Sequence, residues 1–158
     1  MKSLVVLFSY HHNNTEKIAK VFAKVLDAPI LTPPHINPDE LQAYNLIGFG
    51  SGIYGAQHHH LLLDFADTLP HVANKKAFIF STSGAPAIGW REEYVAKNHS
   101  SLRETLRAKG YVMVGEFSCP GFNTNSFLKL VGGINKGRPN AEDLRQAEAF
   151  AQNLKQNL

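Results

Sequence analysis

A chain of 158 residues, 44% hydrophobic and 18% charged, can bury one core and needs no second domain, so a single domain over residues 1–158 is expected. Its formal charge of +3 comes from scattered basic residues with Lys75-Lys76 as the one adjacent pair, which is not a nucleic-acid footprint. One cysteine, Cys119, excludes an internal disulfide and a cysteine-rich metal site, and no apolar run is long enough to span a bilayer; a cytoplasmic protein is expected.

The chain opens with an apolar strand, Leu4 to Phe8, that runs into Ser9-Tyr10-His11-His12-Asn13-Asn14-Thr15 and then a helix. Ile18, Ala19, Phe22, Val25 and Leu26 recur at helical spacing, with Lys17, Lys20 and Lys24 on the other side, so this helix covers one face of a sheet. Ala28 to Leu31 reads as a short strand, Pro38-Asp39 begins a brief helical turn, and Asn45 to Phe49 is a third strand. After the loop Gly50 to Gly55, the stripe Leu62, Phe65, Ala66 and Leu69 marks a second helix. Lys76 to Phe80 is a continuously apolar strand, as expected for one buried on both faces, and ends in Ser81-Thr82-Ser83-Gly84. Leu102 and Leu106 mark a helix closed by Lys109-Gly110, Tyr111 to Phe117 is a fifth strand, and a last helix capped at Asn140 carries Leu144, Ala147, Ala151 and Leu154.

Strands alternating with helices imply a parallel sheet covered on both faces, with ligands held outside the carboxyl ends of the strands. Three polar loops lie at that edge. The first suits an anion, because unpaired backbone N–H groups and the positive end of a helix dipole converge there. Asn13 and Glu16 also have the spacing of an N-cap and capping box, which a surface helix uses without any ligand. The segment from Ser118 to Pro139, rich in Gly, Asn and Phe and carrying Lys129, Lys136 and Arg138, reads as a long functional loop.

Several chemistries are excluded. Gly50, Gly52 and Gly55 spell G-x-G-x-x-G, but the motif follows the third strand and no acidic residue ends the fourth, so a dinucleotide fold is rejected. No Gly-Lys-Ser/Thr loop exists for a nucleoside triphosphatase, and Ser9-Tyr10 and Gly50-Ser51 stand where a response regulator needs acidic residues. The tract His58-His59-His60 lacks the i, i+4 pairing that puts two metal ligands on one helix face, and no metal is expected.

Leu7 to Glu16, Gly50-Ser-Gly-Ile-Tyr-Gly55 and Phe80-Ser-Thr-Ser-Gly84 together resemble the phosphate loop and two flavin loops of the flavodoxin family, through nearly the whole chain. The resemblance implies a flavodoxin-like three-layer α/β fold, a five-stranded parallel sheet with helices on both faces, and FMN as cofactor. Carried over by position, Tyr10, His11, His12, Asn13, Asn14 and Thr15 would cradle the FMN phosphate. Ser51, Gly52, Ile53, Tyr54 and Gly55 would form the first flavin loop, with Tyr54 against the ring, and Ser81, Thr82, Ser83 and Gly84 would line the pyrimidine edge. Trp90 is the candidate second stacking ring, preferred to Tyr94. The chain departs from the family in Tyr10, His11 and His12, where Ser or Thr is usual, and in Asn13 for Gly, although Asn tolerates a left-handed backbone.

The implied function is electron transfer, with no catalytic acid, base or nucleophile, and with a flavoprotein reductase or an iron–sulfur protein as redox partner. A sequence pI near 9.0 departs from the acidic character of flavodoxin carriers. Two alternatives stay open: an FMN-dependent NAD(P)H:quinone-type oxidoreductase, and a flavin-free interaction domain. Cys119 reads as a small apolar residue at a strand end, and Phe122 and Phe127 as anchors of their own loop.

Overall fold

The structure, a computed structural model, describes residues 1–10, 12–85, 92–124 and 126–158, the side chains of Ser126 and Phe127 excepted. Among the described residues six strands and four helices run β1 (Ser3–Phe8), α1 (Asn14–Leu26), β2 (Ile30–Leu31), β3 (Leu46–Tyr54), β4 (Gln57–His58), α2 (His60–Thr68), β5 (Lys75–Ser83), α3 (Glu92–Ala108), β6 (Tyr111–Pro120) and α4 (Ala141–Asn157). Short 3-10 turns cover Pro38–Ala43 and Ser126–Val131. Five strands pair in parallel in the order β2-β1-β3-β5-β6, and the two-residue β4 adds an antiparallel bridge to β3. Strand order reverses at β1, which puts the crevice of this doubly wound sheet above β1 and β3.

Side-chain alternation gives the two faces different cores. On one face Leu4, Val6, Ile47, Phe49, Ala77 and Ile79 pack against Leu62, Phe65 and Ala66 of α2 and Leu102 and Leu106 of α3. On the other, Val5, Leu7, Phe78, Phe80 and Phe117 meet Ile18, Phe22 and Leu26 of α1 and Ala147, Ala151 and Leu154 of α4. The Phe22 ring sits edge-on to Phe78, Phe80 and Phe117 at centroid distances of 5.4, 5.1 and 5.6 Å, a geometry worth about 0.5–1.5 kcal/mol per pair beyond burial. Gly50 serves this packing: a Cβ there would fall 2.2 Å from the Phe80 ring. The first glycine of the apparent dinucleotide fingerprint therefore makes room for an aromatic ring across the sheet.

The structure corrects the expected boundaries. The segments Gly50 to Tyr54, Ser81 to Ser83 and Ser118 to Pro120 continue their strands. Their serines are polar because they bond buried partners, while their backbones stay in register. The capping box that the spacing of Asn13 and Glu16 allows does not form: Asn13 has φ 52°, and its side chain makes no cap bond. That device stands at α4, where Asn140 and Asp143 bond each other's backbone N–H. Val25, placed on the buried stripe of α1, is only partly buried. The segment 118–139 is less of a loop than its composition suggests, holding the end of β6, a bridge between Asn123 and Ile134 and a 3-10 turn.

Candidate functional site

A cleft of about 380 Å³, open to solvent, lies at the carboxyl edge of β1, β3 and β5. Its walls are Ser9, Tyr10, Asn14 and Thr15; Gly52, Ile53 and Tyr54; Thr82, Ser83 and Gly84; and Phe122 with Asn123. Nine sequence-predicted residues thus share one cavity. His12 and Asn13 sit beside it on the exposed turn, Gly55 is at the tip of the β3–β4 hairpin, and Ser51 and Ser81 send their side chains to the α3 side of the sheet. His11 and Trp90 lie outside the described residues.

At the β1 end the backbone is left-handed at two consecutive residues, His12 at φ 54° and Asn13 at φ 52°, before α1 begins. With no cap bond from Asn13, the N–H groups of the first turn of α1 are left for another partner at the positive end of the helix. Asn14 is buried, its Nδ2 donating to the Phe122 carbonyl at 2.8 Å, while its Oδ1 and the Ser9 Oγ are buried with no partner among the described residues. The hydroxyls of Thr15 and Thr82 lie 2.8 Å apart. Whichever donates, the other keeps a hydrogen of its own for a further acceptor.

The β3 wall is held by a tight hairpin, Gly55 at φ 58° and Ala56 at φ 62°, both in the left-handed conformation that two-residue hairpins require. This aims the half-buried Tyr54 back over Gly52. The Tyr54 ring meets His59 edge-on at 5.2 Å, and His59 stacks on Phe8 at 3.9 Å. Burial, the neighbouring His60 and, in opposition, Asp64 together lower the pKa of His59, whose Nδ1 accepts from the Leu61 N–H as the cap of α2.

Sequence reasoning missed Asn123 and took Phe122 only as a loop anchor. The chain after β6 returns along the cleft: the Gly121 N–H donates to the Ser83 carbonyl at 2.8 Å, and Asn135 Nδ2 to the Ala85 carbonyl at 2.7 Å. Phe122 packs on the His12 ring at 4.6 Å, and His12 Nε2 is 2.9 Å from Thr124 Oγ1. The Gly and Asn richness of 118–139 was the available signal. Arg138 is committed elsewhere, paired through two nitrogens with the buried Asp143.

A family profile described as a flavodoxin domain matches residues 5–127. The chain belongs to the flavodoxin family. An uncharacterized protein of Methanocaldococcus jannaschii is 44% identical over 157 residues, covering 99% of this chain and 100% of that one. Among solved structures, oxidised Flavodoxin 2 from Bacillus cereus superposes with a TM-score of 0.74 at 20% identity over 100% of both chains. General stress protein 14 from Treponema denticola, in complex with FMN, gives 0.62 at 14% identity over 98% of this chain and 99% of that one.

Beneath the cleft this member of the family carries a buried polar chain. His99 places Nε2 2.7 Å from Ser81 Oγ and Nδ1 2.9 Å from Glu116 Oε2, and Arg103 grips the same carboxylate through Nε and Nη2. Burial by itself would raise the Glu116 pKa, but hydrogen bonds and charge from Arg103 and His99 overcome it and bring it down to about 2. Serine, histidine and glutamate in this line have the form of a hydrolytic triad. Ser81 is wholly buried, however, so its oxygen meets no substrate. His58 Nδ1 lies 2.9 Å from Ser51 Oγ and its ring 5.0 Å from His99; burial first, then His99, opposed by Glu116, keep its pKa well below the usual histidine value. Cys119 is buried, and burial pushes its thiol well up, which suits an apolar residue rather than a nucleophile.

Proposed function

We propose that the protein binds FMN in this cleft and works as a small electron carrier. One observation carries the reading: an uncapped helix start, the Gly52–Tyr54 wall and the Thr82–Gly84 wall converge on one cavity at the switch point of the sheet. The residues fit the group. The first turn of α1, the free hydroxyl hydrogen of the Thr15–Thr82 pair and the Ser9 hydroxyl suit a phosphate, and Tyr54, which lines the cleft, would lie against an isoalloxazine. The FMN in the Treponema structure supports this choice of flavin. Bound there, FMN would supply the electron-accepting chemistry, while the chain's own groups bind, orient and shield it.

The partner is a redox protein, a flavoprotein reductase or an iron–sulfur protein, with an acidic face. Leu130 and Val131, 88% and 70% exposed, stand beside the exposed Lys129 in the segment that returns along the cleft, with exposed Lys136 close behind in sequence. Because Arg138 is tied to Asp143, these two lysines remain as docking charges there. The alternative, an NAD(P)H:quinone-type reductase, needs a second phosphate site, and the same lysines are its candidates. Titrating apo-protein with FMN and with riboflavin tests the cofactor: FMN should bind more tightly, and equal affinities would refute a phosphate site at α1.

A further inference from the structure

Three serines occupy one transverse row of the sheet, Ser51 of β3 in register with Ser81 of β5, and Ser81 with Ser118 of β6. The next residues along β3 and β5, Gly52 and Thr82, line the cleft. The row therefore forms the layer immediately under the proposed flavin site. On its α3 side the fully buried His99 bonds Ser81, whose Oγ is 2.7 Å from Ser118 Oγ. Ser118 is only partly buried and lines an open groove of about 850 Å³ between α3, β6 and α4.

This chain satisfies its members in both protonation states of the ring. With His99 neutral, Nδ1–H donates to Glu116, Nε2 accepts the Ser81 hydroxyl hydrogen, and Ser81 accepts from Ser118. With His99 protonated, Nε2–H donates to Ser81 Oγ, Ser81 donates to Ser118, and Ser118 turns its hydrogen to the groove. No heavy atom moves between the two. One proton arriving from groove water on Ser118 displaces the Ser118 hydrogen to Ser81 and the Ser81 hydrogen to Nε2, so the balance is one proton gained at His99. Among the described residues the charged and titratable groups facing the ring are Glu116 of β6, Arg103 of α3 and His58 of β4. Arg103 already balances the Glu116 carboxylate, and burial keeps His58 neutral, so a proton on His99 is a net positive charge beneath the cleft.

We propose that His99 is a proton-accepting site coupled to the cleft: it takes a proton from solvent through Ser118 and Ser81 when FMN bound there receives an electron, and releases it when the electron leaves. The electron comes from the redox partner proposed above, and the inference rests on that FMN reading. Added negative charge in the cleft stabilises the positive charge one layer below, and by linkage the bound proton raises the affinity of the flavin for electrons.

The test follows the His99 ring nitrogens by NMR across pH in FMN-loaded protein, oxidised and then reduced with dithionite. The titration midpoint should rise on reduction by on the order of one pH unit, a tenfold change in proton affinity. The flavin midpoint potential should fall with pH more steeply between the two titration points than it does in His99→Gln. Ser118→Ala, which keeps the imidazole, should slow proton uptake after rapid reduction, read with a pH-indicator dye. Equal titration of His99 in both states overturns the inference, as does an unchanged pH profile of the potential in His99→Gln; should that variant not fold, the wild-type titration decides. A protein that retains no FMN overturns both this inference and the cofactor reading, whereas a loaded protein with an indifferent His99 overturns this one alone.

Discussion

Replacing Glu116 by Gln tests whether the buried polar chain is charged as its geometry implies. The carboxyl falls from 4.5 to about 2 in the folded protein, a difference of about 2.5 pH units, or ~3 kcal/mol at 1.36 kcal/mol per unit. The side chain is 24% exposed, so solvent screening trims this to roughly 2 kcal/mol. Gln keeps the shape and an acceptor oxygen but loses the charge, leaving Arg103 and His99 with a weaker partner. Because the folded pKa is the depressed one, the stabilisation is complete above about pH 4.5 and drains away as pH falls toward 2. Glu116→Gln should therefore lower the unfolding free energy by about 2 kcal/mol near neutrality and by roughly half that near pH 3. Urea unfolding of apo-protein at both pH values measures the gap. A gap independent of pH, or one near zero at neutrality, would refute a charged Glu116 in this network.

The remaining predictions concern the cleft and its partner. Thr15→Val should leave Thr82 Oγ1 without its buried partner and cost about 1–2 kcal/mol in both stability and FMN affinity, with riboflavin affinity less affected; thermal melts and paired titrations measure this. Tyr54→Ala should raise flavin fluorescence and weaken FMN by about 1 kcal/mol, and no change in either would remove the ring from the flavin face. Lys129→Glu with Lys136→Glu should slow reduction by a flavoprotein reductase and flatten its salt dependence while leaving FMN affinity intact. In anaerobic stopped-flow mixing NADH or NADPH alone should reduce the flavin slowly, and rapid bleaching followed by turnover with a quinone would replace the carrier by the reductase.

The order of strands and helices was legible because hydrophobic period and turn residues act locally: the stripe of α1 and the continuous apolar run of β5 each declare their element. Strand ends were not legible. Ser51, Ser81 and Ser118 read as loop residues, yet each keeps its backbone in the ladder while its hydroxyl bonds a partner 7, 18 and 37 residues away respectively, which no local pattern announces. His99 shows the same limit most clearly. Alone on α3 it carries no motif, and its bonds to Ser81 and Glu116 span 18 and 17 residues. The spacing at Asn13 left a cap and an anion site both open, because identical spacing serves a cap at α4 and an uncapped start at α1, and backbone φ tells them apart.

The sheet changes character at one register rather than at scattered loop tips. Phe49, Ile79 and Phe80 are wholly buried carbon, and in the rows that follow Phe8 faces Ser51, Ser51 faces Ser81 and Ser81 faces Ser118. A buried hydroxyl costs about 1–3 kcal/mol unless bonded, so a row of them is stable only where each finds a partner: on the α3 side His58 bonds Ser51, His99 bonds Ser81, and Ser118 bonds Ser81 within the row. On the opposite face Thr15 supplies one for Thr82. The strands can therefore run on past their apolar core with their backbones still paired, and the edge they present to the cleft is rigid. A rigid edge of hydroxyls and backbone groups holds a ligand at fixed geometry with little ordering cost on binding. The same bonds make the layer below sensitive to charge, since Ser81 and Ser118 can reverse their donor direction without moving a heavy atom. Binding geometry and proton coupling thus have one origin in this chain: the in-register change from carbon to hydroxyl at the end of β3, β5 and β6.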